Sequence, residues 1–241
     1  MASVELEQLT WQEAERVLTT DAVVLLPLGA GAKEHGPHLT LSNDLRLARH
    51  LTRRVMSRVD VVVAPALAFH HYPAFVEYPG SISLRAETAR DVVVDVCGSL
   101  ARFGPRRFYV LNTGISTVKA LRPAAEELAR EGVTLRWTDW AAALAPVERE
   151  LCQQEGGSHA DEVETSMMLH LEPEAVWMSR AVKDFQPGTG PFTRTPGGPG
   201  RYSPTGTWGD PTLASAEKGA RFVTAVLEAV VHDVRELRQQ E

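Results

Sequence analysis

Lys33, Glu34, His35, His38 and Asp44 fall within twelve residues of one another, directly after a glycine-rich turn at Gly29 and Gly31. Imidazoles and carboxylates bind borderline divalent cations, and they also move protons near neutral pH. The cluster begins where an apolar run at 22–28 ends, and ligands of open α/β sheets gather outside the carboxyl ends of strands. The histidines lack the i, i+4 spacing of helical zinc motifs. A plainer arrangement also satisfies the sequence: a solvated loop whose Asp44 caps the next helix. Spacing alone leaves both readings open.

A second polar group, His70-His71-Tyr72-Pro73, follows another apolar run. Adjacent strand residues point to opposite faces, so at most one of these histidines faces a site. His71 is the candidate, with Tyr78 as part of a substrate wall alongside Phe75 and Glu77. His38 suits loop ordering through a hydrogen bond, and His50, His170 and His232 read as structural. Met167 and Met168 read as core filling, as do Trp137 and Trp140. Neither Cys97 nor Cys152 has a histidine motif nearby, which argues against thiol catalysis.

Runs apolar on both faces at 22–28, 59–67, 107–112 and 133–138 suit strands of a sheet covered on both sides. Between them lie helical periods. Thr10 and Glu13 form a capping box, Asn43 or Asp44 starts a helix through about Met56, and 87–103 and 213–239 carry one-sided apolar patterns. This alternation predicts an α/β fold, a three-layer α/β/α sandwich with a mostly parallel central sheet, in a single domain over 1–241. Residues 185–211 break the pattern with seven glycines and six prolines. That composition forms neither a helix nor an interior strand.

The 241 residues carry 25 Lys+Arg against 31 Asp+Glu, a net charge of −6, with 44% hydrophobic residues. No basic stripe offers itself to phosphates, so nucleic acid is not expected as a partner. No apolar run reaches the ~20 residues a membrane span needs. Residues 1–20 lack a secretion signal's basic and apolar regions, and two cysteines make no disulfide framework, so a reducing cytoplasm is expected.

Pro27-Leu28-Gly29, then Glu34-His35-Gly36-Pro37-His38-Leu39, then Asp44 resembles the creatininase (creatinine amidohydrolase) family. Three further stretches match in order: Tyr78-Pro79-Gly80-Ser81-Ile82-Ser83-Leu84, His159-Ala160-Asp161-Glu162-Val163-Glu164-Thr165-Ser166, and Gly209-Asp210-Pro211 with Glu217-Lys218-Gly219. The resemblance implies hydrolysis of an amide C–N bond with one or two divalent cations, zinc or manganese, and a ring-like homo-oligomer, often a hexamer. An open coordination position brings the pKa of water from ~16 to ~7, supplying hydroxide for attack on the carbonyl. Carried over, His35, Asp44, Glu34 and Glu162 are expected as metal ligands. His159 is expected as the acid or base, delivered with Glu162 by the Gly156-Gly157-Ser158 turn.

Two departures stand out. The family usually has Glu-Gln-His at the first motif, whereas this chain has Lys33-Glu34-His35 with one extra residue after Pro27. Either the loop bulges so that Glu34 takes the ligand's place, or Lys33 occupies it and Glu34 points elsewhere. Relatives carry Asn-Gly-His at the strand end where this chain has Asn112-Thr113-Gly114, and Ser116 stands where creatininase has a glutamate. These losses suggest a single-metal or altered site in which Lys33 supplies the charge of a second cation, with Asn112 and Ser116 contacting substrate. They also point away from creatinine itself. The expectation is a metal-dependent amidohydrolase of a small molecule or short peptide. The alternatives are a peptidase or deformylase in a biosynthetic pathway, and an inactive binding or scaffold protein of the same fold.

Overall fold

The computed structural model describes residues 3–239; Met1, Ala2, Gln240 and Glu241, at the ends of the expected single domain, lie outside them. Five parallel strands, β1 (Val4–Glu5), β2 (Val23–Leu28), β3 (Val62–Val63), β4 (Arg107–Asn112) and β5 (Thr134–Trp137), form one sheet in the order β1-β3-β2-β4-β5. The helices are α1 (Trp11–Val17), α2 (Asn43–Met56), α3 (Ala86–Ala101), α4 (Val118–Ala129), α5 (Trp140–Leu151), α6 (Glu162–Leu171) and α7 (Ala216–Gln239).

Strand alternation divides the core. Val23 and Leu25 of β2 and Tyr109 and Leu111 of β4 pack with Leu51 and Val55 of α2, Met167 of α6 and Phe222 and Val226 of α7. Val24 and Leu26, with Phe108 and Val110, face Val93 and Cys97 of α3 and Leu121 and Leu128 of α4. Side chains two apart share a face and neighbours oppose, so strands apolar on both faces sit between two helical layers. The three-layer sandwich expected from the sequence is the observed fold. Among the described residues, no helix is long and apolar enough to cross a membrane.

Local signals hold where their chemistry is self-contained. Thr10 caps α1, its hydroxyl accepting from the Glu13 N–H while Glu13 reaches back to the Thr10 backbone. The strand expected at 59–67 is regular only at Val62–Val63. Beyond it the chain turns toward the site, touching the sheet again through Leu28 and Leu67. α2 starts where expected, but its cap is Ser42, whose hydroxyl makes no capping bond, and the Asp44 carboxylate is directed elsewhere.

Residues 185–211 contain two short paired strands, β6 (Phe192–Thr193) and β7 (Arg201–Tyr202). They form a lid fastened by side chains and by two backbone bridges, Trp208 with His159 and Gly209 with Asp184. The Tyr78 hydroxyl donates to the Ser203 carbonyl, Glu77 accepts from Thr193 and the Arg194 N–H, and Asp184 accepts from the Ser203 and Thr205 hydroxyls. Phe75, Tyr72 and Tyr78 pack against Phe192 and Trp208 beneath it.

The end of β2 passes so close to α2 that a Cβ on Gly29 would lie 2.4 Å from the Asp44 carbonyl oxygen. Gly29→Ala is expected to push the start of α2 outward and cost about 2 kcal/mol, read as a lower urea midpoint with unchanged m-value.

Candidate active site

At the carboxyl ends of β2 and β4, the loop after β2 lays Lys33, Glu34 and His35 across the top of the sheet, and the first turn of α2 presents Asp44. Lys33 Nζ lies 2.8 Å from Asp44 Oδ2 and His35 Nε2 lies 2.7 Å from Asp44 Oδ1, all three side chains being buried. Burial by itself would raise the Asp44 carboxyl, but the Lys33 ammonium and His35 hold it well below the usual carboxylate range. Lys33 also sits 4.7 Å from the Phe75 ring centre, so its aliphatic stem and charge are both enclosed.

The turn before α6 supplies the other half. His159 Nε2 is 2.8 Å from the Glu34 carbonyl oxygen and 3.0 Å from Glu34 Oε2, while Nδ1 is 3.6 Å from Glu164 Oε2. Asp161 caps α6 through the N–H groups of Val163 and Glu164, setting the helix phase that turns Glu164 back toward His159. Ala160, at φ +48°, aims its N–H at Glu164 Oε2 over 2.6 Å. Burial pushes the Glu164 carboxyl up to about 7, against the lowering influence of His159 and Lys33. Glu34 itself accepts from the Gly36 N–H and is walled by Gly206, at φ +83°, where a Cβ would overlap the carboxylate.

These contacts decide whether a cation suits the site. A carbonyl only accepts, so His35 Nδ1, 2.8 Å from the Lys33 carbonyl, carries a proton, as does His159 Nε2 against the Glu34 carbonyl. In the neutral rings, His35 Nε2 and His159 Nδ1 are then lone pairs facing the carboxylates of Asp44 and Glu164. Acceptor facing acceptor in a dry interior is unfavourable unless a proton or metal ion lies between them. Histidine ligands with the other nitrogen tied to a carbonyl or carboxylate are the usual support for a bound metal. Donor atoms of His35, His159 and Glu164 all lie within 4.8 Å of one another. The donor set fits one borderline divalent ion.

Several expected site residues are placed differently. Glu162 is fully buried but turned away from this cluster: its carboxylate accepts from the N–H groups of Gln153 and Gln154 and pairs with Lys218 of α7. Residues two apart on a helix do not share a face, so Glu164 takes the place expected of Glu162. The signal was the Glu-Thr-Ser of the quoted motif, whose glutamate is Glu164. Of the two arrangements open for the first motif, the structure has Lys33 at Asp44 and Glu34 directed to His159. Asn112 spends its amide inside the turn, donating to the Gly114 carbonyl and accepting from its N–H and from Thr117. Ser116 lines the cavity but donates to the His71 carbonyl; His71 Nδ1 bonds Leu84, and the Tyr78 hydroxyl is committed to Ser203. None of these four presents the free polar group expected of a substrate contact, except His71 Nε2, which is buried without a partner among the described residues. Gly114 lines the cavity, and a Cβ there would sit tightly, 3.0 Å from Thr117 and 3.4 Å from the Tyr72 ring. His38 orders the loop as expected, bonding Thr165. Burial pushes both cysteine thiols up to about 12, leaving no thiolate.

A cavity of about 300 Å³ opens onto the cluster, lined by Lys33, Phe75, His159, Glu164, Phe192 and Arg201 among others. A second of about 320 Å³ adjoins it and shares Ile115, Trp140, Ser158 and Glu164. The sequence reading missed Arg201 because it lies within the glycine- and proline-rich stretch.

The family model described as Creatinine amidohydrolase matches residues 7–234. The chain belongs to the creatininase family. It is 30% identical to the creatinine amidohydrolase of Pseudomonas putida over 97% of each chain. It is 31% identical to the mycofactocin precursor peptide peptidase of Mycobacterium ulcerans (strain Agy99), over 94% of this chain and 90% of that one. Among solved structures, a manganese form of creatininase superposes with a TM-score of 0.82 at 27% identity, covering 99% of this chain and 100% of the other. A Zn–Zn form of a mutant creatininase gives 0.83 at 27% identity, covering 100% of both.

Two outcomes follow from this geometry. Glu162→Gln is expected to destabilise the fold by about 2 kcal/mol, because it removes the carboxylate from Lys218 and leaves the ammonium only the neutral acceptors of Gln153 and Leu213, while metal content of the folded protein stays unchanged by elemental analysis. His70 is buried with neither ring nitrogen partnered among the described residues, and burial lowers it from 6.5 to about 4. The unfolded chain therefore binds a proton that the folded one refuses between those values. Stability is expected to fall as pH drops through that window, by up to about 1.4 kcal/mol per pH unit from this residue. Urea titrations at several pH values should show a shallower fall in His70→Phe.

Proposed function

We propose that this protein hydrolyses an amide C–N bond with a single divalent cation, zinc or manganese, held by His35, His159 and Glu164. The observation that carries the reading is the Lys33–Asp44 ion pair, which places a protein cation beside the only buried metal-capable cluster among the described residues. When bound, the ion supplies hydroxide near neutral pH and polarises the carbonyl.

The chain's own groups do the rest. Asp44 positions Lys33, whose backbone carbonyl in turn holds His35 through Nδ1. Glu34, through its carbonyl and carboxylate, fixes the His159 ring, which in this reading is a ligand rather than the proton carrier expected from the sequence. Lys33 lines the cavity with donors beyond the one used by Asp44, suited to the oxygen on which negative charge develops. Glu164 Oε1, with no hydrogen bond among the described residues, carries the proton from the attacking water to the departing nitrogen. The lid over the cavity excludes bulk water.

A peptide substrate is favoured by one observation, the continuation of the cavity past Glu164 into the second space. The relatives carrying a peptidase name accord with it.

Metal analysis of protein purified without chelator, with hydrolysis assays on N-acyl amino acids and short peptides, tests the reading. One equivalent of metal is expected, lost in His35→Ala and Glu164→Gln together with turnover. Lys33→Met is expected to keep the metal and lower kcat by about 10²-fold or more. Two tightly bound equivalents per chain, or full turnover in the metal-free protein, would overturn it.

A further inference from the structure

Arg201 is the charged group of the cavity that the proposed chemistry leaves unused. It projects from β7, whose backbone is held by the Arg201 N–H donating to the Pro191 carbonyl. The guanidinium carbon lies over two aromatic rings, 5.6 Å from the Phe192 centre and 5.4 Å from that of Trp208. Nε is buried and has no acceptor, and no carboxylate among the described residues pairs with the group. The other cation on this wall, Lys33, already has a carboxylate partner in Asp44.

An arginine carries five N–H donors in a rigid fork and cannot shed its proton in a protein. Stacking on rings satisfies its charge only in part and leaves the N–H edges without acceptors. A half-buried guanidinium whose buried Nε–H lacks an acceptor is costly, and a carboxylate spanning Nε and a neighbouring terminal nitrogen is the group that matches it. Glu164, His159 and Arg201 line one cavity of about 300 Å³, so an anion on Arg201 and a bond at the cluster belong to the same small molecule or chain end.

We infer that Arg201 is the carboxylate receptor of this site, and that the substrates are amides bearing a free carboxylate, such as N-acyl amino acids or the C-terminal end of a short peptide. The inference deepens the amidohydrolase reading and rests on it for the word substrate, though the binding can be read without turnover.

The probes are N-acetylglycine and N-acetylglycinamide, alike except for the charged terminus, titrated calorimetrically into the full chain. A charge-assisted pair predicts roughly 10- to 100-fold tighter binding of the carboxylate. Arg201→Gln should erase that preference, Arg201→Lys should retain part of it, and Arg194→Gln, on the exposed part of the lid, should leave it intact. Circular dichroism and thermal unfolding confirm that each variant is folded. Equal binding of the two probes by the wild-type chain, or an unchanged preference in Arg201→Gln, overturns the inference. Hydrolysis of neutral amides by wild type and Arg201→Gln alike would also sink it while leaving the amidohydrolase reading standing. Carboxylate-selective binding lost in Arg201→Gln, with no amide cleaved, would uphold the receptor and fail the catalytic reading.

Discussion

The pairing of Lys33 with Asp44 constrains everything around it. Three carboxylates, those of Glu34, Asp44 and Glu164, converge on a space from which water is largely excluded. Like charges so placed repel strongly at low dielectric. One ammonium within hydrogen-bonding distance of Asp44 relieves that repulsion permanently, without depending on the supply of any ion. Glu164 and the two inward-facing imidazole lone pairs lie beside that pair, with donor atoms within 4.8 Å of one another. Gly114 stands at the edge of the same cavity, with Tyr72 and Thr117 close about its Cα.

The fold makes such a concentration affordable. Each charged group comes from a short segment anchored to a rigid element: the loop leaving β2, the first turn of α2, the cap of α6. Parallel strands end at the same level, so segments distant in sequence open onto one floor. The Asp161 cap, bonded to the N–H groups of Val163 and Glu164, fixes the rotation that separates the surroundings of Glu164 from those of Glu162. One glutamate faces the reaction space, while the other ties α5, α6 and α7 together through Lys218 and the backbone of Gln153 and Gln154.

How much was legible beforehand depended on the range of each signal. The buried strands at 22–28 and 107–112 and the capped first helix announce themselves because their causes are local: apolarity on both faces, or a side chain three residues from its partner. The family motifs located Lys33, His35, Asp44 and His159. Glu162 and Glu164 could not be told apart by composition, since the difference is one of helical phase, which a cap residue sets. Asn112, Ser116 and Tyr78 were polar groups at the right end of the sheet, yet their hydrogen bonds are consumed by turns that only the folded chain reveals. Arg201 lay hidden among glycines and prolines, where no periodicity exists to assign a direction.

The segment that covers the cavity also reaches the imidazole beneath it. Its Gly206 backbone is the wall against which the Glu34 carboxylate rests, and Glu34 in turn holds the His159 ring. A side chain larger than glycine at position 206 would therefore be felt two contacts away, through Glu34, in the tilt of the His159 ring, although the two positions lie far apart along the chain.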